Sequence, residues 1–125
     1  MTEGVPDGVL RLSAFGSRLP FQGWLPVVRL SDLADGAVVS VDVLGHPLAL
    51  IRRGADVRAL DGRCPHRGGP LDEGMVDAGV IRCPWHGFEY DVETGESVWP
   101  GGWQPATVYQ ARVTDGSVEV QVNIS

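Results

Sequence analysis

Short apolar and β-branched segments recur along the chain, and glycine-containing turn signals separate them. Runs of about four to eight such residues between turns are typical of strands. The turn signals include Asp35-Gly36, Asp61-Gly62 and Asp115-Gly116. This spacing predicts an all-β fold, an antiparallel β sandwich or small barrel. Eight strands are expected, at residues 24–30, 38–44, 47–53, 57–60, 80–83, 88–92, 108–113 and 118–124.

The ends and one connection of this pattern differ from the rest. One helical turn is expected at residues 31–36 (SDLADG), with Ser31 as its N-cap and Gly36 as its stop. Residues 1–21 are predicted to be an N-terminal extension, in which VLRLSAF either adds an edge strand or lies on the surface. Residues 22–125 are predicted to form one domain, because 125 residues suit a single hydrophobic core.

The charge and hydropathy of the chain exclude several classes of function. Its net charge is -6, and its ten basic residues, all arginine, are scattered. Nucleic-acid binding needs clustered cations, so a basic protein partner is the better expectation. No apolar stretch reaches membrane-spanning length, and the first residues lack the pattern of a secretory signal. We therefore expect a cytoplasmic protein that binds neither membrane nor nucleic acid.

Two short motifs carry the candidate chemistry. Cys64 and His66 form C-x-H, and Cys83 and His86 form C-x-x-H. Two loops side by side would bring together sulfur and nitrogen ligands, which suit zinc, iron or an iron-sulfur centre rather than calcium or magnesium. A disulfide would leave both histidines without a role. Structural zinc stays open as a competitor, although zinc fingers usually place both cysteines in one motif.

The sequences around these residues resemble the two cluster-binding loops of Rieske-type [2Fe-2S] proteins. The matching segments are CPHRGGPL, residues 64–71, and CPWHGF, residues 83–88. The resemblance covers about residues 22–122, including the strands that lead into the first loop. It implies a Rieske-like antiparallel β sandwich or barrel with an inserted cluster-binding subdomain at about residues 62–99.

The resemblance also implies the ligand set. Cys64 and Cys83 would bind one iron and His66 and His86 the other, with two bridging sulfides. Neutral imidazoles in place of thiolates make the cluster less negative, so it accepts its single electron more readily.

Neighbouring residues are expected to tune the potential. High-potential relatives carry an extra cysteine in each loop and a serine, whereas this chain has Gly69, Trp85 and Phe88 at those positions. The resemblance therefore points to the low-potential, ferredoxin and oxygenase branch. Tyr90 matches a tyrosine that hydrogen-bonds a ligand sulfur in high-potential members, which would raise the potential somewhat. The alternative is a strand residue with a solvated hydroxyl.

Further residues of the loops have two interpretations each. In one interpretation the loop glycines let backbone amides approach the sulfides and Pro70 stiffens the loop. In the other, all of them are ordinary turn residues. Trp85 shields the cluster or packs in the core. Arg67 lies near the exposed histidine edge, where it meets an acidic partner or tunes the potential, or it is simply solvated. The glycines concerned are Gly68, Gly69 and Gly87.

Two features lie outside the loops. WPGGWQP, residues 99–105, resembles the proline-containing third loop that covers the cluster, or it is a surface connection. His46, before Pro47, is expected to be a hairpin-turn residue.

The predicted function is that of a single-electron carrier, not an enzyme. No histidine follows His86, so the mononuclear iron site of a Rieske oxygenase is not expected, and no glycine-rich flavin or nicotinamide fingerprint is present. The partners would be a flavin-dependent reductase and a terminal oxygenase. Two alternatives stay open: a non-catalytic Rieske subunit of a larger oxidoreductase such as a nitrite reductase, and a zinc-stabilised binding module.

Overall fold

The computed structural model describes residues 8–12 and 21–124, which contain three four-stranded sheets. The first sheet consists of β1 (Leu10–Leu12), β2 (Phe21–Arg29), β11 (Ala111–Thr114) and β12 (Ser117–Ile124). The second consists of β3 (Val38–Val43), β4 (His46–Arg53), β5 (Asp56–Asp61) and β10 (Val108–Tyr109). The third consists of β6 (Met75–Asp77), β7 (Val80–Arg82), β8 (Glu89–Asp91) and β9 (Ser97–Trp99). The all-β, largely antiparallel prediction is confirmed.

Strand β12 organises the first sheet. It pairs antiparallel with β2 over residues 117–124, while β11 and β1 share its other edge. The β1 pairing is parallel, and Leu10 is buried in it. The segment 9–15 thus contributes an edge strand at Leu10–Leu12, and residues 13–15 lie outside the described residues.

Strand β4 separates two hydrophobic cores. Leu48 and Leu50 face the core between the first and second sheets, whereas Ala49 and Ile51 face the core under the third sheet. The alternation follows from the two-residue period of a strand, which sends successive side chains to opposite faces. The second sheet is therefore the shared layer between an aliphatic framework core and the core of the inserted lobe.

The third sheet is inserted between β5 and β10. The chain leaves the second sheet after β5, forms a 3-10 turn at Leu71–Glu73, builds β6 to β9 and returns at β10. Side-chain hydrogen bonds tie this lobe, residues 62–99, to the second sheet. Glu93 accepts hydrogen bonds from Arg58 at 2.9 Å and Arg53 at 3.3 Å, and Ser40 donates to Asp72 at 2.7 Å.

Residues 8–12 and 21–124 contain twelve strands, whereas eight were expected along the chain. Three-residue strands β1, β6 and β9 are additional, and residues 108–113 divide at Gln110 into β10 and β11. Val108 and Tyr109 pair with the second sheet, whereas Ala111–Thr114 pairs with the first. The apparent single strand therefore passes from one sheet to the other.

The helical turn predicted at residues 31–36 is wrong in position and capping. A 3-10 turn spans Leu30–Asp32, Arg29 precedes it, and no side chain caps it. The guanidinium of Arg52 donates to the carbonyls of Leu30 and Leu33, at 3.3 and 2.8 Å. The Leu30 N–H donates to the Gly116 carbonyl at 2.8 Å and the Leu33 N–H donates to the Leu30 carbonyl at 3.0 Å, so backbone carbonyls accept these N–H groups in place of the Ser31 side chain. No helix in the described ranges is long and apolar enough to cross a membrane.

Candidate metal centre

The two predicted ligand loops have the same backbone construction. In each, the cysteine N–H donates to the carbonyl five residues later, Cys64 to Gly69 at 2.7 Å and Cys83 to Phe88 at 2.8 Å. Each loop reverses through two consecutive left-handed residues at the third and fourth positions after its cysteine. These are Arg67 and Gly68, with φ of 63° and 69°, and His86 and Gly87, with φ of 64° and 70°. The two backbones match, but His66 precedes the left-handed pair of its loop whereas His86 is the first residue of the pair in the other.

Both cysteines point into the core of the lobe. Cys64 and Cys83 are buried and free. Burial and the neighbouring Cys64 raise the pKa of Cys83 to about 11, since both disfavour the thiolate. A metal would supply the positive charge that a buried thiolate needs.

Tyr90 completes the surroundings of the sulfurs. Its side chain is fully buried, and its hydroxyl lies 3.1 Å from Cys64 Sγ. Burial, followed by the contact with Cys64, raises the pKa of Tyr90 well above its usual range. The phenol therefore keeps its proton and can donate it to the sulfur. The structure places this hydroxyl against the cysteine and not in solvent.

The two histidines meet on the outer side of the sulfurs. Their ring centroids are 5.1 Å apart, His86 is exposed, and His66 is half-buried. Nδ1 of His66 is buried and has no hydrogen-bond partner. Burial lowers the pKa of His66, and the nearby His86 and Arg67 lower it further. A neutral imidazole with a buried, unpartnered ring nitrogen is suited to binding a metal.

Aromatic side chains surround His66. Phe88 stacks on its ring at a centroid distance of 3.8 Å and an interplanar angle of 6°, and Trp103 meets both rings edge-on at 5.8 Å. Trp99 packs edge-on against Phe88 at 6.1 Å. Segment 99–105 therefore reaches the site and is more than a surface connection. Nothing in the sequence motif signals the Phe88 stack, although the two tryptophans of WPGGWQP hint at an aromatic cover.

Gly69 shows how closely the two loops approach. A Cβ at this position would come within 3.0 Å of the Trp85 ring and 3.1 Å of Cys83 Sγ. Trp85 lies across the first loop and is 48% exposed, so it covers the loops and does not pack in the core. The predicted loop residues Gly68 and Gly87 adopt the left-handed conformation, and Pro70 bridges to Arg63 before the 3-10 turn.

The donor set suits a binuclear cluster. The four predicted ligands form a buried thiol pair and an imidazole pair with an orphaned nitrogen. Within residues 8–12 and 21–124, no three cysteine, histidine or acidic side chains converge closely enough to surround one metal ion. A cluster with two irons, one bound by thiolates and one by imidazoles, matches this division.

Comparison with known proteins decides the family. Residues 23–110 match the family described as Rieske [2Fe-2S] domain. The chain belongs to this family. It therefore holds one Rieske-type [2Fe-2S] cluster, as the resemblance of its loops predicts.

The share of a relative's length that this chain covers differs widely between relatives. Ferredoxin CarAc of Metapseudomonas resinovorans is 36% identical over 79% of this chain and 94% of its own length. Apoptosis-inducing factor 3 of Homo sapiens is 29% identical over 78% of this chain, but the chain spans only 16% of that protein. Among solved structures, the complex of reduced oxygenase and oxidized ferredoxin in carbazole 1,9a-dioxygenase contains a chain that is 35% identical. It has a TM-score of 0.74, and the match covers 81% of this chain and 94% of that one.

His46 is more than a turn residue. It begins β4 after the Leu44-Gly45 turn, and its Nε2 lies 3.2 Å from an Asp61 carboxylate oxygen that also accepts a hydrogen bond from Tyr109. The other oxygen of Asp61 accepts the N–H of Arg63, at 2.9 Å, immediately before Cys64. The network lies at the base of the first Rieske loop and holds its start against the second sheet.

Proposed function

We propose that this protein carries single electrons from a flavin-dependent reductase to a terminal oxygenase. The observation that carries the proposal is the near-complete overlap with ferredoxin CarAc, 94% of whose length aligns with this chain. A second support is the fold match, at a TM-score of 0.74, to a chain from a solved complex of oxygenase and ferredoxin. The protein is a non-catalytic component, so substrate chemistry belongs to its partner.

We also propose the ligand assignment. Cys64 and Cys83 would hold one iron and His66 and His86 the other. When bound, the cluster accepts and releases one electron. The thiols must lose their protons on binding, and the buried pair would stay deprotonated only with the metal present.

The remaining residues of the site control access and electrostatics. Tyr90 holds a proton beside Cys64 Sγ, so its dipole favours negative charge on that sulfur. Phe88 and Trp103 exclude water from one face of His66. The exposed ring of His86 is the part of the ligand set nearest to solvent and is the proposed exit for the electron.

Membership of the Rieske family removes the reason for a zinc-stabilised module, since the cofactor of the family is an iron-sulfur cluster. The sequence interpretation as a subunit of a nitrite reductase has no specific observation in its favour. We further propose that the protein works in the cytoplasm, where its two buried, free thiols stay reduced until iron binds. Cell fractionation with an antibody would test this location.

Reconstituted electron transfer tests the function. The holoprotein, a flavin-dependent ferredoxin reductase with NADH, and a terminal oxygenase with its aromatic substrate would be combined, and product would be measured. We expect turnover to require all three proteins and to rise with the concentration of this one until saturation. Equal turnover with the protein omitted would contradict the proposal. Heat-inactivated protein provides the control for adventitious iron.

A further inference from the structure

The loops around the cluster site have the opposite charge to the whole chain. Residues 62–70, 82–88 and 99–105 contain three arginines and no aspartate or glutamate, although the chain carries a net charge of -6. The net charge alone predicts a basic partner. The structure shows that this expectation does not describe the surface nearest to the histidines.

Two of these arginines lie beside the histidine-bearing turns. Arg67 is exposed and directly follows His66. The guanidinium of Arg82 packs against Gly87, where a Cβ would approach it to 3.0 Å. Glu89 is the cross-strand partner of Arg82, yet the two side chains form no ion pair. Each loop therefore places one cation next to its histidine.

Neither of these cations has a carboxylate partner. Among the described residues, three arginines each pair with a glutamate, Arg53, Arg58 and Arg112, whereas Arg67 and Arg82, like Arg11, Arg29, Arg52 and Arg63, form no ion pair. An exposed guanidinium with free donors can bind a carboxylate through two parallel hydrogen bonds. The guanidinium groups of Arg67 and Arg82 are therefore open to a carboxylate of a partner that approaches the ligands.

Exposed tryptophans accompany the arginines. Three tryptophans that contact the ligand loops are about half exposed: Trp85 at 48%, Trp99 at 53% and Trp103 at 48%. Trp85 lies against Gly69, Trp99 against Phe88 and Trp103 against His66. Protein interfaces are enriched in tryptophan and arginine and depleted in aspartate and glutamate. The composition of this surface is therefore that of an interface centre.

We propose that this surface, the cluster face, docks onto a protein surface whose carboxylates surround a redox centre. The cluster face is defined by Arg67, Arg82, Trp85, Trp99 and Trp103. The proposal deepens the proposed function and rests on it. The rest of the chain is negative, so it is repelled by such a partner while the cluster face is attracted. The protein would therefore approach with its histidines foremost, and electrostatic steering would set the orientation as well as the rate.

Two cytochromes of opposite heme-edge charge test the sign of the cluster face. Cytochrome b5 has carboxylates around its heme edge, and cytochrome c has lysines. The holoprotein would be reduced with dithionite, freed of excess reductant and mixed with each ferric cytochrome in a stopped-flow instrument. One electron passes from the reduced protein to the ferric heme, and no bond is made or broken. The second-order rate constant would be measured at increasing ionic strength.

Charge-reversal variants give the decisive comparison. We expect the cytochrome b5 rate to fall with salt and to fall by roughly tenfold or more in Arg67→Glu, while the cytochrome c rate rises in the same variant. Arg29→Glu is the matched control, because Arg29 is exposed on β2 of the framework and outside the three loops. It should change the cytochrome b5 rate much less. Arg82→Glu should act in the same direction as Arg67→Glu.

Three results would overturn the docking proposal: a cytochrome b5 rate that rises with salt, an Arg67→Glu rate equal to wild type, or an Arg29→Glu effect as large as that of Arg67→Glu. Iron content and the visible spectrum of each variant are measured first. If Arg67→Glu loses iron, the neutral Arg67→Gln takes its place with a smaller expected effect. A wild-type protein that reduces neither cytochrome would instead contradict electron carriage itself, so the two failures are distinguishable.

Discussion

The two cores of this protein satisfy their buried groups in different ways. The core between the first and second sheets consists of aliphatic side chains such as Leu48, Val120 and Val122. The core of the inserted lobe contains Cys64, Cys83 and Tyr90 beside its aliphatic residues, and it borders the unpartnered Nδ1 of His66. In the part of the chain that the structure describes, the two buried side-chain polar atoms without a hydrogen-bond partner, His66 Nδ1 and Ser97 Oγ, both belong to the lobe.

This difference indicates that the framework core mainly stabilises the fold, whereas the core of the inserted lobe mainly serves the cluster site. The strands of the third sheet have only three residues each, too few to form a stable sheet alone. Their stability depends on the shared second sheet and, by our account, on the cluster. Changes in the framework should therefore alter stability, and changes in the lobe should alter the cluster.

The largest expected effect comes from removing a proposed sulfur ligand. Cys83→Ser should abolish the visible colour and the electron-transfer activity together, because a serine hydroxyl is a poor ligand for this iron. Absorption spectra and reduction of the terminal oxygenase check both losses. A Cys83→Ser protein that stays coloured and active would show that the ligand assignment is wrong.

A framework change should give the opposite result. Leu50→Ala removes a fully buried side chain from the aliphatic core and should cost about 2–5 kcal/mol of stability. Thermal or denaturant unfolding measures the loss, and the folded variant should keep its iron content and its reduction potential. A large shift in potential would mean that the two cores are not separate in function.

Two tyrosines offer a smaller, matched comparison. The Tyr90 hydroxyl contacts Cys64 Sγ at 3.1 Å, and the Tyr109 hydroxyl donates to Asp61 at 3.2 Å. Tyr90→Phe removes a donor that stabilises negative charge on the sulfur, so the reduction potential should fall, by about 1 kcal/mol or roughly 40 mV for one electron. Tyr109→Phe should cost a similar amount of folding stability and leave the potential nearly unchanged. Protein-film voltammetry and thermal unfolding distinguish them, and equal shifts in potential would remove the assigned role of Tyr90.

The smallest effect is expected at Ser97. Its hydroxyl is buried without a hydrogen-bond partner, so Ser97→Ala removes a desolvated polar group and loses no bond. Stability should stay the same or rise slightly, and the spectrum should not change. A clear destabilisation in thermal unfolding would reveal a partner for this hydroxyl in the holoprotein.

The ligand loops and the long strands could be predicted because each has a local signal. Cysteine and histidine at fixed spacing identify the loops, and apolar periodicity identifies strands such as β4 and β12. The three-residue strands β6 and β9 are too short to show a period. The division of 108–113 at Gln110 depends on which sheet each residue pairs with, and the turn at Leu30–Asp32 depends on Arg52 from a distant strand. Such tertiary partners leave no trace in the local sequence.

The cluster site likewise contains residues that the sequence predicts and contacts that depend on the folded structure. Tyr90 could be named in advance only through the resemblance to Rieske-type proteins, which implies a tyrosine at this position, and a solvated hydroxyl was the alternative. The stack of Phe88 on His66 could not, because both loops must fold before the rings meet. The cationic character of the cluster face was likewise hidden by the net charge of the chain, which averages over all surfaces.

The central claim is that the two loops hold one redox-active [2Fe-2S] cluster. Metal and sulfide analysis of the purified protein, combined with a reductive titration followed by absorption, tests it most directly. We predict two irons and two acid-labile sulfides per chain, a coloured oxidised form, and bleaching complete after one electron. A colourless protein with stoichiometric zinc, or iron that dithionite does not reduce, would contradict the account.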